Sequence, residues 1–323
     1  MKHFRDSRLR QQAVAKQIDV WSEPLALPVQ VPTTADYLAG FVRAAVQTLS
    51  PSNVREFFRE LDRNDPLLSR LGWALLLAVP VFAALAFFVP GAALGVNPVN
   101  PWIKPIKFSM SFSTFASTVS LMLLALQIPK WQLTLARRAI AVSVALEILS
   151  LGAQAWRSAF ALTGHSFVDR SLALMTNSMV MVNTALVCGM LALFCANRVR
   201  SAMADGPMVS AIRYSIVIFL VGNAIGGYML ARGAHTVGTG DAGPGLPFVN
   251  WSTIGGDLRI AHFIAIHAIQ IVPLFAFILS QMAPIPAVKH RRMAIAALAI
   301  VVSATVGATF VQAALGHPLL SLR

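Results

Sequence analysis

The chain has 323 residues, of which 56% are hydrophobic and only 12% charged, with a formal net charge of +13. A soluble domain carries about twice that charged fraction, so a soluble globular protein is excluded. The basic residues lie mainly between apolar blocks and in the N-terminal tail, where they orient a membrane protein, and this argues against nucleic acid as a partner.

Residues 1–16 are basic, with Lys2, Arg5, Arg8, Arg10 and Lys16 against Asp6. Such a tail suits either anionic lipid or simple solvation. Residues 22–36, with Pro28 and Pro32, read as a linker. The stretch SPSNVREFFRELDRNDP predicts a short amphipathic helix near 51–63. Ser50 or Asn53 caps it, Pro51 suits its first turn, and Val54, Phe57, Phe58 and Leu61 share one face. That face is expected against the membrane or the helix bundle. Residues 1–66 thus form a cytoplasmic N-terminal region, and the first span lies too late for a cleavable signal peptide.

Seven apolar blocks follow, at about 69–91, 106–128, 139–162, 171–196, 212–231, 258–282 and 293–315, each long enough to span a bilayer. The expected fold is an all-α, polytopic transmembrane helix bundle over 67–316, with a short tail at 317–323. Pro80 predicts a kink in the first span, and the small residues of the last suit close packing.

Orientation follows from lysine and arginine. Lys130, Arg137, Arg138, Arg198, Arg200, Arg213, Lys289, Arg291 and Arg292 fall in one set of connections. The alternate connections hold Lys104, Arg170 and Arg232, with Lys107, Arg157 and Arg259 at span ends. The richer set is expected to be cytoplasmic, which puts the N-terminus inside, the C-terminus outside and the protein in the cytoplasmic (inner) membrane. Trp73, Trp102, Trp131 and Trp156 fall at predicted interfaces. Cys188 and Cys195 lie about 10 Å apart on one helix, too far for a disulfide, and read as small packing residues.

The third span carries Glu147, Ser150, Gln154 and Arg157 on an arc of about 80°, a single polar stripe on an apolar helix. Exposure of that stripe to lipid is costly, so it is expected to face the bundle interior. The sixth span opens with Asp257, which can cap it, and Arg259, then carries His262, His267 and Gln270 before Pro273. Lys104 and Lys107 sit at the outer end of the second span, and His165 lies between the third and fourth. The long loop before the sixth holds Arg232, His235 and Asp241 among seven glycines. Loops of that length are more often functional than mere connectors.

These pieces predict a site in the outer half of the membrane. Glu147, Gln154, Arg157, His262, His267 and Gln270 form its core, His165, Arg232 and His235 its mouth, and Lys104, Lys107, Asp257 and Arg259 its charged rim. The excess of basic side chains favours an anionic small molecule or lipid head group, or a redox cofactor such as haem b with propionates on the basic rim. His262, His267, His165 and His235 are the candidate ligands for haem or a transition metal. Proton-coupled transport with Glu147 as the proton-binding acid, a metal-dependent membrane enzyme and a purely structural network are the alternatives. Seven spans with scattered histidines resemble the ceramidase and progestin-receptor-like membrane hydrolases in topology alone. The last span lacks their closely spaced histidine pair, so no residue role carries over.

Overall fold

The structure, a computed structural model, describes residues 33–89, 100–160, 162, 166–200, 206–282 and 287–321. The basic tail at 1–16, most of the 22–36 linker and His165 lie outside the described residues. Within them the chain is helical apart from one short β-pair. Among the described residues seven helices are long and apolar enough to cross a membrane, as a multi-pass integral membrane protein requires.

The first described helix, α1 (Thr34–Thr48), starts inside the stretch read as linker. Thr33 and Asp36 form a reciprocal capping box, in which the Asp36 carboxylate accepts from Thr33 N at 2.8 Å. Such a box satisfies two of the four free N–H groups of a helix start, which is why the helix begins there despite the upstream prolines. Helix α2 (Pro51–Asn64) has the expected Ser50 cap. Leu61 is buried, whereas Val54 and Phe57 remain exposed.

Helix α2 meets α3 (Pro66–Phe88) at a single residue, Asp65, which is only 1% exposed. Its carboxylate caps α3 through Leu68 N. It also accepts from Ser120 Oγ at 2.9 Å and Arg137 Nε at 2.8 Å. One carboxylate therefore ties the α2–α3 corner to α4 (Ile103–Ala125) and α5 (Lys130–Ala159). The remaining spans are α6 (Phe167–Cys195), α7 (Pro207–Arg232), α8 (Leu258–Ser280) and α9 (Val288–Ala314). Pro80 and Pro273 both lie within continuous helices.

Neighbouring spans pair as hairpins: α3 with α4, α5 with α6, α7 with α8, and α8 with α9. Helix α4 is the most enclosed, 56% of its apolar window being buried, and it touches α3, α5 and α8. The main core joins Phe115, Val119 and Met122 of α4 to Ile140 and Val144 of α5, Val187 and Phe194 of α6, and Ile216 and Phe219 of α7. Trp102 stands at the start of α4 and is packed inside the protein, 1% exposed, donating from Nε1 to the Val89 carbonyl at 2.9 Å beside Phe82. One expectation needs correction. Cys188 and Cys195 are free thiols on the exposed surface of α6 instead of packing residues.

The long loop at 233–257 folds back on the bundle. Strand β1 (Thr236–Val237) pairs antiparallel with β2 (Gly256–Asp257). Gly256 lies against the end of α9 so closely that a Cβ there would fall on the Ala313 carbonyl. Gly256→Ala is therefore expected to push the loop off α9, costing about 1–3 kcal/mol as in other overpacked sites. Faster proteolysis within 233–257, together with a lower unfolding temperature, checks this.

Candidate functional site

The polar stripe of α5 faces α6. Ser143 Oγ donates to Asn183 Oδ1 at 2.6 Å, Ser150 Oγ and Thr176 Oγ1 share a hydrogen bond at 2.8 Å, and Arg157 Nε donates to Asp169 Oδ1 at 2.7 Å. These rungs are seven residues apart on both helices, the spacing of an antiparallel coiled-coil seam. Gln154 reinforces the middle rung, donating to Thr176 Oγ1 at 3.0 Å. Gln154 and Arg157 are thus engaged by α6 and do not hold the histidines of α8, as the stripe alone led one to expect. Helix α8 packs chiefly on α7 and α9.

Glu147 falls between the first two rungs, where the register places Met179 opposite it. It is 1% exposed, and neither carboxylate oxygen accepts a hydrogen bond among the described residues. Its charged neighbour is Lys104 at the start of α4, within electrostatic range but without an ion-pair contact. Helix α4 thereby links the seam to the loop: Lys104 lies in electrostatic range of Glu147, and Lys107 feels the charges of Arg259, Lys104 and Asp257.

The α7–α8 contact explains His262. Gly222 and Gly226, one turn apart on α7, face Ala265, Ile266 and the His262 ring on α8. A Cβ at Gly222 would meet Ala265 Cβ at 2.9 Å, and one at Gly226 would meet His262 Cε1 at 3.0 Å. This is a small-residue helix contact of the kind common in membranes. His262 fills the space left by Gly226, and its Nδ1 donates to the Gly222 carbonyl at 2.7 Å. His267, about 7.5 Å further along the axis, packs against Phe263 with ring centroids 4.4 Å apart. Its Nε2 has no hydrogen-bond partner among the described residues, nor do Gln270 Oε1 and Asn223 Nδ2.

At the loop end, Asp257 does what its position predicts and caps α8, accepting from Arg259 N at 3.0 Å. It also accepts from Ser252 N at 2.8 Å and from the Arg259 guanidinium at 2.6 Å. Arg259 reaches on to the Asn250 carbonyl, and Lys107 Nζ donates to the Val249 carbonyl at 3.4 Å. The loop is therefore pinned by the cations beneath it. Arg232 lies at its edge, over the Tyr228 ring and donating to the Thr236 carbonyl.

Asp241 organises the other end of the loop, accepting from His235 N, Thr236 N and Thr236 Oγ1. Partial burial opposes its charge, but the Thr236 and His235 hydrogen bonds outweigh that and hold the carboxyl below its usual range. His235 is also pushed below its usual value, by burial first and by the Arg259 charge second. Both shifts have the same consequence. A depressed histidine loses folded-state stability as pH falls below about 6.5, and a depressed aspartate adds to the loss as pH falls below about 4. Amide hydrogen exchange across 235–257 is expected to quicken on acidification from pH 7 to 5, with no comparable change from pH 7 to 8.

Among the described residues, no three His, Cys, Asp or Glu side chains converge as metal ligands. The haem and metal expectations find no support in this arrangement, and His165, the fourth candidate, lies outside the described residues. What the geometry defines is a bundle with seven helices long and apolar enough to cross a membrane, a folded loop over one end and a group of cations beneath it. No family model matches the chain, and no curated protein or solved structure is significantly similar to it.

Proposed function

We propose that this membrane protein binds an anionic small molecule at the loop-side ends of α4 and α8, held by Lys104, Lys107 and Arg259. Arg232 and His235 flank the entrance, and Glu147, His267 and Gln270 lie deeper. The observation that carries this reading is the grouping of Lys104 and Arg259 around Lys107, each within electrostatic range of it, above a carboxylate that accepts no hydrogen bond among the described residues. Asp257 is already engaged by Arg259 and Ser252. Like charges gathered beside a low-dielectric interior repel strongly, and a bound anion relieves that repulsion. The start of α4 has no side-chain cap and adds its positive dipole end to the same region.

The test is thermal unfolding of the purified protein in nanodiscs with succinate, citrate or inorganic phosphate. At least one anion is expected to raise the unfolding temperature. Lys104→Ala with Lys107→Ala should abolish the rise, whereas Lys130→Ala, at the other end of the bundle, should preserve it. A rise that survives the double substitution, or none with any of the three anions, counts against the proposal.

One observation favours a second reading, proton-coupled transport. A buried carboxyl that accepts no hydrogen bond can gain and lose a proton without breaking one, as Glu147 would have to. Uptake by proteoliposomes that is driven by a pH gradient and lost in Glu147→Gln supports it; uptake indifferent to that change removes it. In both readings the loop faces the non-cytoplasmic side of an inner membrane, a placement that the distribution of basic residues supports.

A further inference from the structure

Away from that site, at the opposite end of the bundle, α2 and the first turns of α3 enclose a groove of about 620 Å³. One stripe of α2 lines it, through Val54, Arg55, Phe58, Arg59 and Asp62, and α3 contributes Arg70 and Trp73. Those positions on α2 recur at three- and four-residue steps, so they form a single helical face. Phe58 and Trp73 make the floor, their rings 4.9 Å apart. The three arginines outnumber the single aspartate. Arg59 and Arg70 make only loose, exposed ion pairs, at 3.7 Å to Glu56 and 3.9 Å to Asp62. Such pairs contribute little and exchange readily. Arg55 has no ion pair among the described residues.

Position and chemistry together select the occupant. The groove lies where a membrane-spanning helix begins, which is headgroup depth. Below it α3 is mostly open to lipid, 11% of its window being buried, with Leu77 and Val81 exposed on the helix that continues from the groove. Guanidinium groups bind phosphate oxygens in pairs, and an indole sits comfortably beside the glycerol level of a bilayer. Asp65 keeps α2 at a fixed angle to α3 through Ser120 and Arg137, so the groove is built in advance of any ligand.

We infer that this groove is a binding site for an anionic phospholipid, with the phosphodiester on Arg55, Arg59 and Arg70 and an acyl chain running past Trp73 along α3. The basic distribution places it in the cytoplasmic leaflet, where anionic lipids concentrate.

Native mass spectrometry of the full chain in detergent, titrated with dioleoyl phosphatidylglycerol or dioleoyl phosphatidylcholine, tests this. The anionic lipid is expected to bind at least about tenfold more tightly. Arg55→Gln with Arg70→Gln should bring it to the level of the zwitterionic lipid. Arg63→Gln, which lies off the groove, should leave the preference intact. Arg55→Lys with Arg70→Lys, which keeps the charge, should retain most of it and separates loss of binding from loss of fold. Equal binding of the two lipids overturns the inference, as does a preference that survives the double glutamine variant. So does full competition by millimolar inorganic phosphate, since a free anion would then be enough. Phosphatidylglycerol binding that appears only after residues 1–32 are deleted would show that the chain's own N-terminal segment occupies the groove, and would also overturn it.

Discussion

Asp65→Ala is expected to destabilise the protein by about 3–5 kcal/mol, the cost of removing one partner from a buried ion pair. The carboxylate is fully enclosed and serves α3, Ser120 and Arg137 together. Its loss leaves Arg137, only 19% exposed, without a counter-charge. The α3 cap disappears with it, which adds to the damage. Thermal or denaturant unfolding in detergent gives the magnitude. A double replacement, Asp65→Leu with Arg137→Met, should recover a large part of the loss, because a pair of well-packed apolar side chains often matches a buried ion pair. If the double variant is as unstable as the single one, the corner depends on hydrogen bonds to Ser120 and the α3 cap, and the ion pair with Arg137 is secondary.

Glu147→Met should act in the opposite direction and raise stability by about 1–3 kcal/mol. The carboxylate is enclosed between rungs of the α5–α6 seam and accepts no hydrogen bond among the described residues, and methionine fills a similar volume with no polar group to desolvate. A residue that weakens the fold where it stands is usually kept for what it does. A fall in the unfolding temperature would show instead that Glu147 is a structural member of the bundle.

The seven spans were legible in the sequence because twenty-residue apolar blocks have few other fates. The Ser50 and Asp257 caps were legible for a similar reason, since the residue types that end helices are few. Pairing between helices was much less so. The stripe from Glu147 to Arg157 reads clearly as a buried face, but a stripe says nothing about which neighbour covers it. The needed signal was on the next span, where Asp169, Thr176 and Asn183 repeat at the same seven-residue interval as Ser143, Ser150 and Arg157. Likewise Gly222 and Gly226 answer Ala265 and His262 across the α7–α8 contact, a pattern visible only when the two spans are laid side by side. Asp65 escaped notice because it ends one amphipathic segment and begins the next. Its partners Ser120 and Arg137 are 55 and 72 residues away, and no local rule connects them.

The rungs between α5 and α6 bear on how the protein is made. Alone in hydrocarbon, α5 would show two serines, a glutamine and an arginine to acyl chains, and α6 an aspartate, a threonine and an asparagine. Joined, each hides the other's burden. The two segments therefore belong in the bilayer as one inserted hairpin, and a ribosome-bound nascent chain halted after α5 alone should leave that segment lingering at the insertion machinery until its mate emerges.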